Sequence, residues 1–194
     1  IDPADYLLGS EGGTFNIDNG IELEIEGVLR DAVSGTSGDL TKIGPGTLNL
    51  SGENTYSGAT VVDDGTLQIS SLFGLGESFN VTLDGGTIRQ STTMIDPADY
   101  LLGSEGGTFN IDDGIELEIS GILKDLDSGT PGGFTKSGSG TLNLSGENTY
   151  GGATIVDDGT LQISNLFGLG NSLSIILDGG TIRQSASLND PADY

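Results

Sequence analysis

The most chemically suggestive short stretches are Asp63-Asp64-Gly65 and Asp157-Asp158-Gly159, two identical acidic triplets. Neighbouring carboxylates can supply ligands to calcium, which gathers about six to eight oxygens, usually from more than one carboxylate. Asp-Gly is equally a common way to turn a corner, because glycine accepts a positive φ and aspartate bonds its own backbone. The glycine-rich nonapeptide of calcium-binding β-rolls is missing. A corner is therefore the expectation, with Asp63, Asp64, Asp157 and Asp158 kept as weak candidates for calcium or another divalent cation, and no other cofactor.

Other chemistries have less support. The chain has no histidine and no cysteine, which removes imidazole acid–base catalysis, thiolate nucleophiles and zinc sites built on those residues. Paired carboxylates beside Arg or Lys serve glycoside-cleaving enzymes. With 29 Asp plus Glu among 194 residues, some pair must lie close, so proximity alone is uninformative. Threonines following glycine suggest an ice-binding face, but that needs Thr pairs on consecutive coils, and the Gly-Thr cues supply single residues that start strands. The apolar clusters Leu72, Phe73 and Leu75, repeated as Leu166, Phe167 and Leu169, read as core or as a short lid.

The elements that position these residues are strands. Low hydrophobic content (34%) with a formal net charge of -23 ordinarily signals disorder. Here the apolar residues alternate in short runs such as GTLNLSG, ATVVDDGTLQIS and GIELEIEG, with Gly, Asn, Asp and Ser between them, which is the pattern of strands and turns. No window carries a long helical period, no apolar run is long enough to span a membrane, and no basic-then-apolar leader is present. Six Lys plus Arg argue against nucleic acid and anionic membrane surfaces as partners.

Repetition organises the whole chain. A shift of 94 residues superimposes Ile1 on Ile95, Lys42 on Lys136, Tyr56 on Tyr150 and Arg89 on Arg183 without a gap, with about three quarters of positions identical. The units are 1–94 and 95–188, and 189–194 starts a third, in one continuous array. Within a unit, GGTFNI, GTLNLSG, GTLQIS and GGTIRQS recur at roughly 20 to 35 residues, the length of one solenoid coil. The expected fold is all-β, a β-solenoid with about four coils per unit, favoured over an antiparallel sandwich because the cues mark single strands rather than hairpins. Stacking at about 4.8 Å gives a rod roughly 40 Å long. An active site needs a unique cleft, whereas everything in the first unit returns in the second, so no enzyme is expected.

The stretch LTKIGPGTLNLSGENTYSGATVVDDGTLQIS (Leu40 to Ser70) and its copy from Phe134 to Ser164 resemble the passenger-associated strand repeat of bacterial autotransporters. The flanking EGGTFNIDNGIELEIEGVL and LFGLGESFNVTLDGGTIRQ look like coils of the same passengers. The resemblance implies a right-handed parallel β-helix, displayed or shed at the bacterial cell surface, in a family of adhesins, aggregation factors and stalks. It also implies that Asn54 with Tyr56, and Asn148 with Tyr150, are scaffold elements rather than sugar ligands.

DPADYLLG lies outside that family pattern and recurs at the unit boundaries. Asp2 as N-cap, Pro3 at the first helical position and Gly9 as terminator predict one short helical turn there. Contacts between successive units are expected at Asp2, Pro3, Tyr6, Leu7 and Leu8, at Asp96, Pro97, Tyr100, Leu101 and Leu102, and at Asp190, Pro191 and Tyr194. The expected function is a structural or adhesive component of an extracellular fibre. Its partner is itself, by covalent continuation or head-to-tail stacking, and a host or neighbouring-cell surface is a further candidate. The alternative is a carbohydrate-binding or polysaccharide-cleaving β-helix.

Overall fold

The computed structural model describes residues 1–185. Every named element in that range is a short strand, and all strand pairings are parallel. The chain winds as a solenoid of about nine turns, each visiting three faces in a constant order. One face is an eight-stranded sheet: Glu22–Ile25, Thr47–Leu50, Thr66–Ile69, Thr87–Gln90, Gly107–Ile111, Phe134–Ser137, Thr154–Val156 and Ile175–Leu177. A second is six-stranded: Gly13–Asn16, Leu40–Ile43, Thr60–Val62, Asn80–Leu83, Asp99–Leu102 and Leu123–Asp125. The third is split, beginning as Tyr6–Leu8 with Leu29–Asp31 and resuming as Met94–Asp96, Glu116–Ile119, Thr141–Leu144, Thr160–Ile163 and Thr181–Gln184.

Identical sequences occupy different faces in the two units. TLNL is Thr47–Leu50 on the eight-stranded face and Thr141–Leu144 on the split face, and the two ELEI strands are divided in the same way. The unit supplies about thirteen strand positions, and at three per turn that makes about four and a third turns. Each unit is therefore rotated by about a third of a turn from the one before. This works because all three faces make the same demand: apolar residues inward at every second position and a corner between strands.

The core is a single cluster running through both units, including Ile25, Leu48, Leu67, Ile88, Phe109, Leu117, Leu142 and Leu161. On the eight-stranded face Leu23, Leu48, Leu67, Ile88 and Phe109 stack in register as an inward column. Beside it Thr47, Thr66, Thr87, Thr108 and Thr135 form an outward column. The next outward position holds Glu24, Asn49, Gln68, Arg89 and Asn110, so the threonines make a single ladder, not pairs.

The helical turn expected at DPADYLLG is not formed. Tyr6–Leu8 and Asp99–Leu102 are strands. Asp2 and Asp96 do cap backbone, but as corners: Asp2 Oδ1 accepts the Ala4 N–H at 2.9 Å and Asp96 Oδ1 that of Ala98 at 2.9 Å. Tyr100 pairs with Val81 on one side and Leu123 on the other. Ladder bonds satisfy the backbone of Asp99–Leu102 on both sides and of Tyr6–Leu8 on one, whereas one isolated helical turn carries the full cost of nucleation.

Candidate functional site

The acidic triplets are corners. Asp63, Asp64, Asp157 and Asp158 are exposed, and Asp64 Oδ1 and Asp158 Oδ1 each accept the following glycine N–H at 2.7 Å. Gly65 and Gly159 have φ of 66° and 64°, and a Cβ on Gly65 would collide with the carbonyls of Gly44 and Gly46. Among the described residues no group of three or more acidic side chains converges as a metal shell would require.

A cation already occupies each corner, and the sequence reading passed over it. Lys42 sits at an inward strand position between Phe15 and Val62, and Lys136 between Phe109 and Val156; both are fully buried. Lys42 Nζ donates to the carbonyls of Ile43 at 3.0 Å, Gly44 at 2.6 Å and Asp64 at 3.1 Å. Lys136 repeats this with Ser137, Gly138 and Asp158 at 2.8, 2.6 and 3.2 Å. Burial pushes the Lys136 ammonium down to about 8 against the pull of the Asp158 carboxylate, and lowers Lys42 for the same reasons. The ammonium gathers corner carbonyls, sharing that of Ile43 with the Ile17 N–H, and so holds the turn with charge-assisted bonds. Its signal was available: in LTKI, Leu40 and Lys42 share one face of the strand.

The Asn-Thr-Tyr triplets are clamps. Asn54 Oδ1 accepts the Leu29 N–H at 2.8 Å while its Nδ2 donates to the Gly74 carbonyl at 2.7 Å, so one side chain ties three successive turns where strands lapse. Asn148 does the same with Leu123 and Gly168, both at 2.7 Å. Tyr56 and Tyr150 are buried, their hydroxyls 2.7 Å from Thr60 Oγ1 and Thr154 Oγ1. A side chain committed inward in this way offers nothing to a ligand.

At the unit boundary, Asp96 is buried and its Oδ2 accepts the Tyr100 hydroxyl at 2.8 Å. Burial raises the Asp96 carboxyl against the pull of the Ala98 N–H and the Tyr100 hydroxyl. Tyr100 and Leu102 join the core, and Tyr100 packs edge-on against Phe109 at 5.2 Å. Leu101 takes the outward side of its strand and Pro97 is exposed. In the first turn Asp2 Oδ2 accepts the Tyr6 hydroxyl at 2.6 Å and Leu8 is buried, with Leu7 and Pro3 exposed. The boundary contacts expected at Asp190, Pro191 and Tyr194 lie outside the described residues.

The clusters read as core or lid are divided by the fold. Leu75 is buried, but Leu72 and Phe73 are 56% and 55% exposed, as are Leu166 and Phe167 at 42% and 54%. They sit on tight turns that carry backbone hydrogen bonds such as Gly76 N–H to Phe73 carbonyl and Glu77 N–H to Tyr56 carbonyl, and those bonds fix the turn with its apolar side chains outward. Phe79 and Ile95 are also exposed, at 67% and 64%. With Leu72, Phe73, Met94 and Pro97 they line an open groove of about 250 Å³ across the unit boundary.

Comparison with known proteins places this geometry. The passenger-associated-transport-repeat family model matches residues 40–69 and 134–163, the segments carrying Lys42, Asn54 and Tyr56 and their copies. The chain is 34% identical over 176 residues to the "Adhesin BmaC autotransporter" of Brucella suis biovar 1, covering 89% of this chain and 5% of that protein. It is 33% identical over 172 residues to the uncharacterized lipoprotein YdeK of Escherichia coli K12, covering 83% and 12%. The chain thus spans a small fraction of the length of the curated relatives it matches. It is a parallel β-solenoid built on two copies of the passenger-associated transport repeat.

Proposed function

We propose that this chain is an adhesive and structural length of solenoid exposed at a bacterial cell surface, and that it is not an enzyme. The observation that carries the reading is the unbroken core at the unit boundary, where Tyr100, Leu102 and Phe109 continue the column of the first unit into the second. Units joined in this way add length and stiffness and repeat their outer surface, which suits a fibre. The likeness to an adhesin autotransporter supports the adhesive part. The outer columns of the eight-stranded face are polar from Thr47 to Thr135 and turn apolar at Ile155 and Ile176, and the Asn-Tyr pairs are spent on the scaffold, which weighs against those pairs as sugar ligands. Further units would extend the rod along its axis.

Displaying the chain on a non-adherent bacterial host and counting cells retained on abiotic and host-cell surfaces tests this reading. Retention above that of cells displaying an unrelated solenoid is expected. Saturable glycan hydrolysis by the purified chain, or no gain in retention, overturns it.

A further inference from the structure

We propose that the groove around Phe73 binds cationic, amphipathic polypeptide segments; this rests on the adhesive reading and names the partner class. Exposed apolar residues on a soluble surface are ordinarily scattered singly. Here Leu72, Phe73, Phe79 and Ile95, each more than half exposed, gather with Met94 and Pro97 around one groove. Phe73 also borders a second groove of about 360 Å³ whose wall carries Glu53 and Glu77, both exposed. Phe73 therefore stands between the two grooves, with Glu77 bordering both and Glu53 the second. None of the six Lys and Arg residues lines either groove.

Charge complementarity selects the occupant. A chain with a formal net charge of -23 attracts a basic partner and repels both a second copy of itself and an acidic one. The apolar trough supplies desolvated area, and the two carboxylates fix Lys or Arg beside it. The trough is lined mainly by apolar side chains, and of its polar residues Ser78 and Asp96 are buried and already bonded within the chain, which leaves Glu77 to meet a sugar's hydroxyls, so a polypeptide fits better than a glycan.

The second unit keeps part of this surface. Leu166, Phe167 and Leu173 are exposed, Glu147 stands where the first unit has Glu53, and Asn171 replaces Glu77. Its turn lies over Leu123–Asp125 of the six-stranded face, whereas the first lies over Leu29–Asp31 of the split face. The two copies therefore face different sides of the rod, and the second has one carboxylate fewer.

Titrating the 194-residue chain against a fluorescent peptide of about 16 alternating Lys and Leu residues, read by anisotropy, tests the proposal. Companion peptides replace Lys by Glu or Leu by Gly. Phe73→Ser with Phe79→Ser is expected to weaken Lys/Leu binding about tenfold, and Glu77→Gln about threefold with a shallower salt dependence. The Glu/Leu and Lys/Gly peptides should bind at least about tenfold more weakly than Lys/Leu. Ile95→Gln, on the opposite wall, gives an independent reading if the double variant loses its native melting transition. The proposal is overturned by absence of Lys/Leu binding, by binding indifferent to these substitutions, by equal binding of the Lys/Gly peptide, or by a saturable glycan that the same substitutions abolish. Self-association in high salt that disappears in the double variant would assign the groove to a second copy and overturn it too. Displayed cells that adhere equally with and without the Phe substitutions sink the groove while leaving the adhesive reading intact. Peptide binding by a chain that confers no adhesion does the reverse.

Discussion

Asn54 illustrates how single residues hold this molecule together. Its amide bridges Leu29 and Gly74, so Asn54→Ala leaves a buried donor and a buried acceptor without partners. A loss of about 2–4 kcal/mol in urea unfolding is expected, and a loss under about 0.5 kcal/mol would show that water replaces the clamp. Lys136 makes a pH-dependent case. The folded chain releases its proton near 8 and the unfolded chain near 10.5, so between those values the unfolded state binds more protons. Unfolding free energy then rises with pH across that window and is lower below it. The rise should be measurably smaller in Lys136→Met than in the parent, and equal slopes would refute the account. The buried tyrosines, whose hydroxyls are pushed above their usual value of 10.0, act only at higher pH.

At the scale of elements, the corner decides more than the strand. All three faces accept the same alternating sequence, so what distinguishes one position from another is how the chain leaves it. Asp96 shows the consequence at the unit boundary, where a helix signal and a corner signal share the same residues and the neighbouring ladders select the corner. Its carboxyl is raised by burial, so between the ordinary aspartate value and its own the folded chain binds more protons than the unfolded one. Stability from this group is present at low pH and falls as pH rises through that window. Asp96→Asn, which keeps the Ala98 contact without the charge, should therefore be more stable than the parent at pH 7, with the difference closing toward pH 4. Equal pH profiles in thermal melts would show that the site is hydrated.

For the whole molecule, the rotation of about a third of a turn per unit has a measurable outcome. In an array of this repeat, surface features advance about 20 Å and move to the next face with each unit, returning to the starting face after three units, or about 60 Å. Gold attached through Leu72→Cys in every unit of a four-unit array should mark the first and fourth units on the same side in electron micrographs. Labels all on one side would refute the rotation. A flat partner surface would then meet every third site, while a rod lying in a dense layer would offer sites in any roll orientation. The charge acts at this scale as well: a formal -23 makes the folded rod repel itself at low ionic strength. Millimolar calcium should raise the melting temperature over a chelator-treated sample in low salt, and magnesium should do so comparably if screening rather than a built site is responsible. Identical melting under all three conditions would remove the electrostatic contribution.

Alternation and the 94-residue period were enough to read a solenoid from the chain, because inward and outward positions differ in chemistry at every second residue and the unit recurs without a gap. The family likeness in LTKIGPGTLNLSGENTY was legible for the same reason, since the corner lysine and the asparagine clamp need those residue types at those spacings. The tertiary structure decided the rest. Counting strand cues along the chain yields about four coils per unit, but only the pairing register reveals the extra third of a turn, because the lapsed strands at Asn54 and Phe73 occupy face positions without a strand's pattern. Likewise, Leu72 and Phe73 look like core in a list of residues. Their exposure follows from a turn whose backbone bonds to the coil below fix its orientation, and such long-range bonding leaves no mark in local sequence.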